Sequence, residues 1–90
     1  LKLSAQKGAK IKAKWDSVNS ANGYQIYYSR NKNFKKLSAK KIVKGGKKTS
    51  YVGKNFTKGR KYYVKVRAYK NVNGQKVYGK WSSVKSVKCK

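Results

Sequence analysis

Apolar residues recur at every second position along much of this chain. Ala9-Lys10-Ile11-Lys12-Ala13-Lys14-Trp15 is the cleanest stretch, with Ile11, Ala13 and Trp15 on one face and the lysines on the other. A period of two marks a strand with one buried face; a helix needs 3.6. Tyr24-Gln25-Ile26-Tyr27-Tyr28 keeps Tyr24, Ile26 and Tyr28 in phase, after a turn-rich link containing Asn19, Ser20, Asn22 and Gly23. Ala39 to Lys44 is a weaker strand that stops at Gly45-Gly46, and Thr49 to Val52 is a short one. In the longest run, Lys61 to Tyr69, Tyr62, Val64, Val66 and Ala68 alternate with Tyr63, Lys65, Arg67 and Tyr69. Asn71-Val72-Asn73-Gly74 supplies hairpin chemistry, because Asn-Gly tolerates the positive φ of a tight turn. A last strand, from about Lys76 to Lys88, loses phase between Trp81, Val84 and Val87, which predicts a bulge. Leu1 to Lys7 reads as a first edge strand or the tail of a linker, and the Leu1/Leu3 alternation favours the strand.

Short strands spaced by roughly 8–12 residues, with no helical stretch, predict an all-β fold: an antiparallel sandwich of two sheets with about seven strands. The expected core is Ile11, Trp15, Tyr24, Ile26, Tyr62, Val64, Val66 and Ala68. At 90 residues the chain is long enough for one domain, residues 1–90, and one small core.

Charge complicates that picture. Lys and Arg total 26 against a single acid, Asp16, for a formal net charge of +25. Such charge with low mean hydropathy suits a disordered tail. Two features oppose disorder: 38% of residues are hydrophobic, and the lysines alternate with them instead of forming blocks. The same composition argues against catalysis. Acid–base chemistry at neutral pH needs a His or a tuned carboxylate pair, and this chain has no His and one carboxylate side chain. Zinc, calcium and magnesium sites need ligand sets that the composition lacks, so no metal and no cofactor is expected. Asp16 is expected to cap the turn after Trp15 or to neutralise nearby lysines. Cys89 reads as an inert thiol near a frayed end, with an intermolecular disulfide as the alternative. Gly45-Gly46, flanked by Lys44, Lys47 and Lys48, offers backbone amides to phosphate, but without the strand–loop–helix context of a phosphate loop. The chain begins without Met, and is expected to be a segment of a longer multidomain protein.

Several of these residues together resemble the fibronectin type III family over almost the whole chain. Trp15 is similar to the family's core Trp on the second strand, and Gly23-Tyr24-Gln25-Ile26-Tyr27-Tyr28 to its third strand. Thr49-Ser50-Tyr51, Phe56, Gly59, Tyr62, Val64, Val66 and Ala68 resemble its most characteristic run, and Tyr78-Gly79-Lys80-Trp81-Ser82 the opening of its last strand. The resemblance implies that Tyr62 is a corner tyrosine whose hydroxyl bonds to backbone a few residues upstream. The lysine-rich dialect most resembles modules of surface or secreted proteins of Gram-positive bacteria, which implies an extracellular or cell-surface location. The chain departs from the family in having no Pro, and in placing Gly53 where relatives carry a buried aliphatic residue, so a bulge or small void is expected there. The loop Asn71-Val72-Asn73-Gly74-Gln75 has no Arg-Gly-Asp, so integrin binding does not carry over.

Strand lysines have an ordinary use, since they prevent sheets from associating edge to edge. A charge of +25 exceeds the roughly 2–8 that keeps a small domain soluble, and points either to anionic partners or to deliberate supercharging. The expected function is a non-catalytic extracellular module, a spacer or adhesion unit held by charge to anionic polymers: cell-wall phosphate polymers, acidic glycans or nucleic acid. It is expected to be monomeric beside neighbouring domains of its parent protein. A nucleic-acid-binding or carbohydrate-binding domain is the alternative. The densest patch is expected on the outward face of the long strand and its neighbours, at Tyr27, Tyr63, Lys65, Arg67 and Tyr69, where rings can stack on a ligand while cations meet its charge. Plain cross-strand packing of the same rings is the competing reading.

Overall fold

In the computed structural model, which describes residues 1–90, the chain forms eight strands and no helix. They are β1 (Lys2–Gln6), β2 (Lys10–Lys14), β3 (Gly23–Ser29), β4 (Leu37–Lys44), β5 (Ser50–Gly53), β6 (Lys61–Val72), β7 (Gln75–Tyr78) and β8 (Lys85–Lys88). One sheet has the order β1-β2-β5; the other runs β4-β3-β6-β7, with β8 also pairing β6. All pairings are antiparallel. The two sheets make the β-sandwich that the alternation predicts, with the small sheet over the large one.

The eighth strand comes from the last one breaking in two. β7 pairs with the C-terminal end of β6, Tyr69 to Val72, and β8 with its N-terminal end, Lys61 to Val64. Between them, Gly79 to Val84 leaves the ladder, which is where the apolar phase slips in sequence. The edge of β6 is not left open there. Gly79 N donates to Ala68 O (2.9 Å) and Ser82 N to Val66 O (2.7 Å), while Val66 N donates to the Ser82 hydroxyl (3.0 Å). A serine side chain thus does the work of a missing backbone carbonyl.

The core lies between the sheets. Ile11, Ala13 and Trp15 face Tyr24, Ile26 and Tyr28 of β3 and Tyr62, Val64 and Val66 of β6, all buried. Aromatics close the core at both ends: Trp15 leans on Tyr24 (5.4 Å between centroids), and Phe56 sits between Tyr28 and Tyr62 (4.9 Å to each). Ala68, expected in the core, is only partly buried: it packs against the core's margin and lines a surface cleft with Trp15, Tyr24 and Trp81. The Phe56 ring also accounts for Gly53: a Cβ there would lie 2.8 Å from the ring, so the aromatic fills the space and neither bulge nor void forms.

Hydroxyl groups pin the loops. Thr57 N donates to the Tyr62 hydroxyl (2.8 Å), the corner bond expected for that residue. The Tyr24 hydroxyl accepts from Val18 N (2.8 Å) and donates to Gly46 O (2.7 Å). Asp16 is exposed and has no part in these bonds; the turn after Trp15 closes through Tyr24 and through Ala21 N to Val18 O. Gly46 is tight for a packing reason, since a Cβ would lie 1.8 Å from Ala21 O. Gly45 N already donates to Asn22 O, so this glycine pair is a packed turn and not a cradle for phosphate.

The C-terminus is held rather than frayed. Cys89 is 2% exposed and belongs to the core. Its amide donates to Arg60 O, its carbonyl accepts from Gly59 N, and Ala9 N donates to Lys90 O (3.0 Å). A thiol so covered is inert by burial, and an intermolecular disulfide through it would require the core to open.

Candidate functional site

The outer face of the large sheet collects most of the residues the sequence singles out. Cross-strand register sets Tyr27 beside Lys65 and Gln25 beside Arg67. Because side chains alternate, Tyr63, Lys65 and Arg67 all project from this face of β6. The loop Gly79 to Val84 then carries Trp81 back over it. The Trp81 ring lies 4.6 Å from that of Tyr27, tilted by 48°.

These groups form an alternating stack of rings and cations. Lys65 Nζ lies 4.4 Å from the Phe34 centroid, 4.5 Å from Trp81 and 5.9 Å from Tyr27. The Arg67 guanidinium lies 3.9 Å from Tyr78, 4.2 Å from Trp81 and 5.9 Å from Tyr27. Its Nε also donates to Gln25 Oε1 (2.8 Å), an acceptor that is itself buried. Each cation therefore meets the negative faces of several rings, an attraction worth about 0.5–2 kcal/mol per pair depending on exposure. Phe34 reaches Lys65 from the β3–β4 loop with φ of 56°, the left-handed region that a bulky side chain adopts at a cost of roughly 1–2 kcal/mol. That loop is fixed by Ser29, whose hydroxyl donates to Lys36 O (2.6 Å) and accepts from Asn31 N (3.0 Å).

Tyr27, Lys65 and Arg67 are brought together as expected. Tyr63 shares the face but lies under Lys61 instead, 5.3 Å from its Nζ. Tyr69 does not belong to an accessible platform. It is on the outer face, yet only 3% exposed, because it pairs with Gly23 and its ring lies across the space left by that missing side chain. Tyr78 and Lys76 cover it from β7. Sequence reasoning missed Phe34, Tyr78, Trp81 and Gln25. For Trp81 a signal existed, since it falls out of phase with the core.

The opposite surface, the outer face of the small sheet, is different in kind. There β1 and β2 bring Lys2, Ser4 and Gln6 against Lys14, Lys12 and Lys10, and β5 adds Val52 and Ser50. No ring lies on this face, and none of these lysine side chains makes a hydrogen bond, ion pair or ring contact. Compared with models of known protein families and with curated proteins, the chain matches none.

Proposed function

We propose that this chain is a non-catalytic, fibronectin type III-like module of an extracellular or cell-surface protein. It serves as a spacer or adhesion unit and holds anionic polymers by charge. The observation that carries the reading is the excess of cations on a β-sandwich: 26 Lys and Arg against one Asp. Self-repulsion of that size costs stability, and counter-anions relieve it. The corner bond of Tyr62 and the Trp15–Tyr24 contact support the family resemblance. The half-buried rings of Tyr27, Tyr63 and Trp81 favour one second reading, a carbohydrate-binding module.

Titration against heparin, a DNA oligomer and a neutral glycan across salt concentrations tests both. Charge-driven binding gives affinity for both polyanions whose logarithm falls linearly with log salt, and none for the neutral glycan. Neutral-glycan binding that persists at high salt supports the second reading. No binding to any of them at low salt leaves the spacer role alone.

A further inference from the structure

We infer that the outer face of the three-stranded sheet, through Lys2, Lys10, Lys12 and Lys14, is the seat for a linear, base-free phosphodiester polymer. This rests on the polyanion reading above and adds the surface and the chemistry. The aromatic face is rich in cations, but they are engaged. Lys65 is surrounded by three rings, and Arg67 by three rings and Gln25. To meet an anion they must give up those contacts. The lysines of the small sheet give up only water.

Their arrangement is also costly without a ligand. Lys2 lies directly across from Lys14 in register. Like charges in that position disfavour the sheet. Lys10, Lys12 and Lys14 follow every second residue along β2, which spaces them by about 6.8 Å in a straight row. Ser4, Gln6 and Ser50 beside them are uncharged; the only carboxylate side chain of the chain, Asp16, follows β2 and shares a cleft with Lys2 and Lys14, so one acid stands against four cations, at that end of the row. An extended polyanion laid along β2 meets the three lysines in turn, with Lys2 flanking the last. The chemistry of the polymer follows from what the face lacks. Nucleic-acid binders that track single strands add rings on which bases stack. Here the neighbours are Ser, Gln and Val, so bases gain nothing, and lysines about 6.8 Å apart match the extended repeat of phosphodiesters on a three-carbon polyol, one charge per six backbone bonds.

The test compares two double variants with the same charge change, Lys12→Ser/Lys14→Ser and Lys40→Ser/Lys44→Ser, the latter on exposed β4 of the other sheet. Binding of poly(glycerol phosphate) and of an oligodeoxythymidylate of equal charge is measured by calorimetry from 0.05 to 0.3 M salt. Each phosphate neutralised contributes about 0.7 to the slope of log affinity against log salt, so the β2 variant is expected to lower it by about 1.4. That corresponds to about 25-fold weaker binding at 0.1 M salt. The β4 variant is expected to lose less than half of that slope. Amide shifts in the unmodified protein during titration with poly(glycerol phosphate) should concentrate on β1 and β2, a readout that needs no variant. Equal losses in both variants, or shifts centred on Trp81 and Arg67, would overturn the assignment while leaving charge-driven binding intact. Tighter binding of oligodeoxythymidylate than of poly(glycerol phosphate) would overturn the base-free chemistry. Absence of binding to either polymer at 0.05 M salt would overturn the polyanion reading itself.

Discussion

Replacing Tyr28 by Phe removes a single oxygen atom, and its effect should have the opposite sign to the same change at Tyr24 or Tyr62. All three rings are buried, but their hydroxyls differ. That of Tyr24 makes two hydrogen bonds, that of Tyr62 accepts one from Thr57 N, and that of Tyr28 has no partner. A buried hydroxyl without a hydrogen bond costs about 1–3 kcal/mol relative to water. Tyr28→Phe recovers part of that cost and keeps the contact with Phe56, so a gain of about 1 kcal/mol is expected, or roughly 4–8 °C in Tm. Tyr62→Phe leaves the Thr57 amide unpaired and should lose about 1–2 kcal/mol. Tyr24→Phe strands both Val18 N and Gly46 O and should lose more. Far-UV circular dichroism through thermal and urea unfolding, at one fixed salt concentration, reads all three. Alkaline pH supplies a second arm. Burial, with a smaller contribution from Tyr51, pushes ionisation of Tyr28 well above its ordinary value of 10.0. The folded state then holds the proton more tightly than the unfolded chain. The stability this confers is complete below pH 10 and is lost as pH rises from there toward the folded value, by about 1.4 kcal/mol per pH unit. Tyr28→Phe abolishes that loss, so its advantage over the parent should widen above pH 10. A Tyr28→Phe protein as destabilised as Tyr62→Phe, or an advantage that stays flat with pH, would refute the reasoning.

Trp15→Ala is expected to cost about 3–5 kcal/mol, close to the whole folding free energy of so small a domain, and to leave it largely unfolded at low salt. A near-native thermal midpoint would contradict that. Trp81→Ala removes the ring shared by Lys65, Arg67 and Tyr27 and should cost about 2 kcal/mol by urea denaturation; a loss below about 0.5 kcal/mol would mean that the stack contributes little. Raising salt from 0.01 to 0.1 M shortens the screening length from about 30 to about 10 Å and should raise Tm, as scanning calorimetry would show.

Strands β2 and β6 were legible because one face of each is drier than the other, so Ile11, Ala13 and Trp15, or Tyr62, Val64 and Val66, announce themselves by alternation alone. The Asn73-Gly74 turn was legible for a local reason too, as both residues adopt the positive φ their chemistry permits. What escaped depends on which strands meet. Burial of Tyr69 needs Gly23 opposite it, and that register exists only once β3 and β6 pair. Cys89 looked terminal, yet hydrogen bonds to Arg60 and Gly59 draw it into the core. Phe34 sits in a left-handed conformation usually left to Gly or Asn, so nothing in its neighbourhood marked it as a partner of Lys65. Trp81 was visibly out of phase, but the slip did not say over which face the chain would fold.

The stitching of the last residues has a mechanical consequence. Lys2 pairs with Lys14, at the Trp15 end of the sandwich, whereas Lys90 bonds to Ala9 at the other end. Tension between Leu1 and Lys90 therefore runs along the strands. It pulls β1 lengthwise past β2, and β8 lengthwise past β6. The rungs of both ladders lie across that direction, so they share the load and must fail together rather than open one at a time from an end.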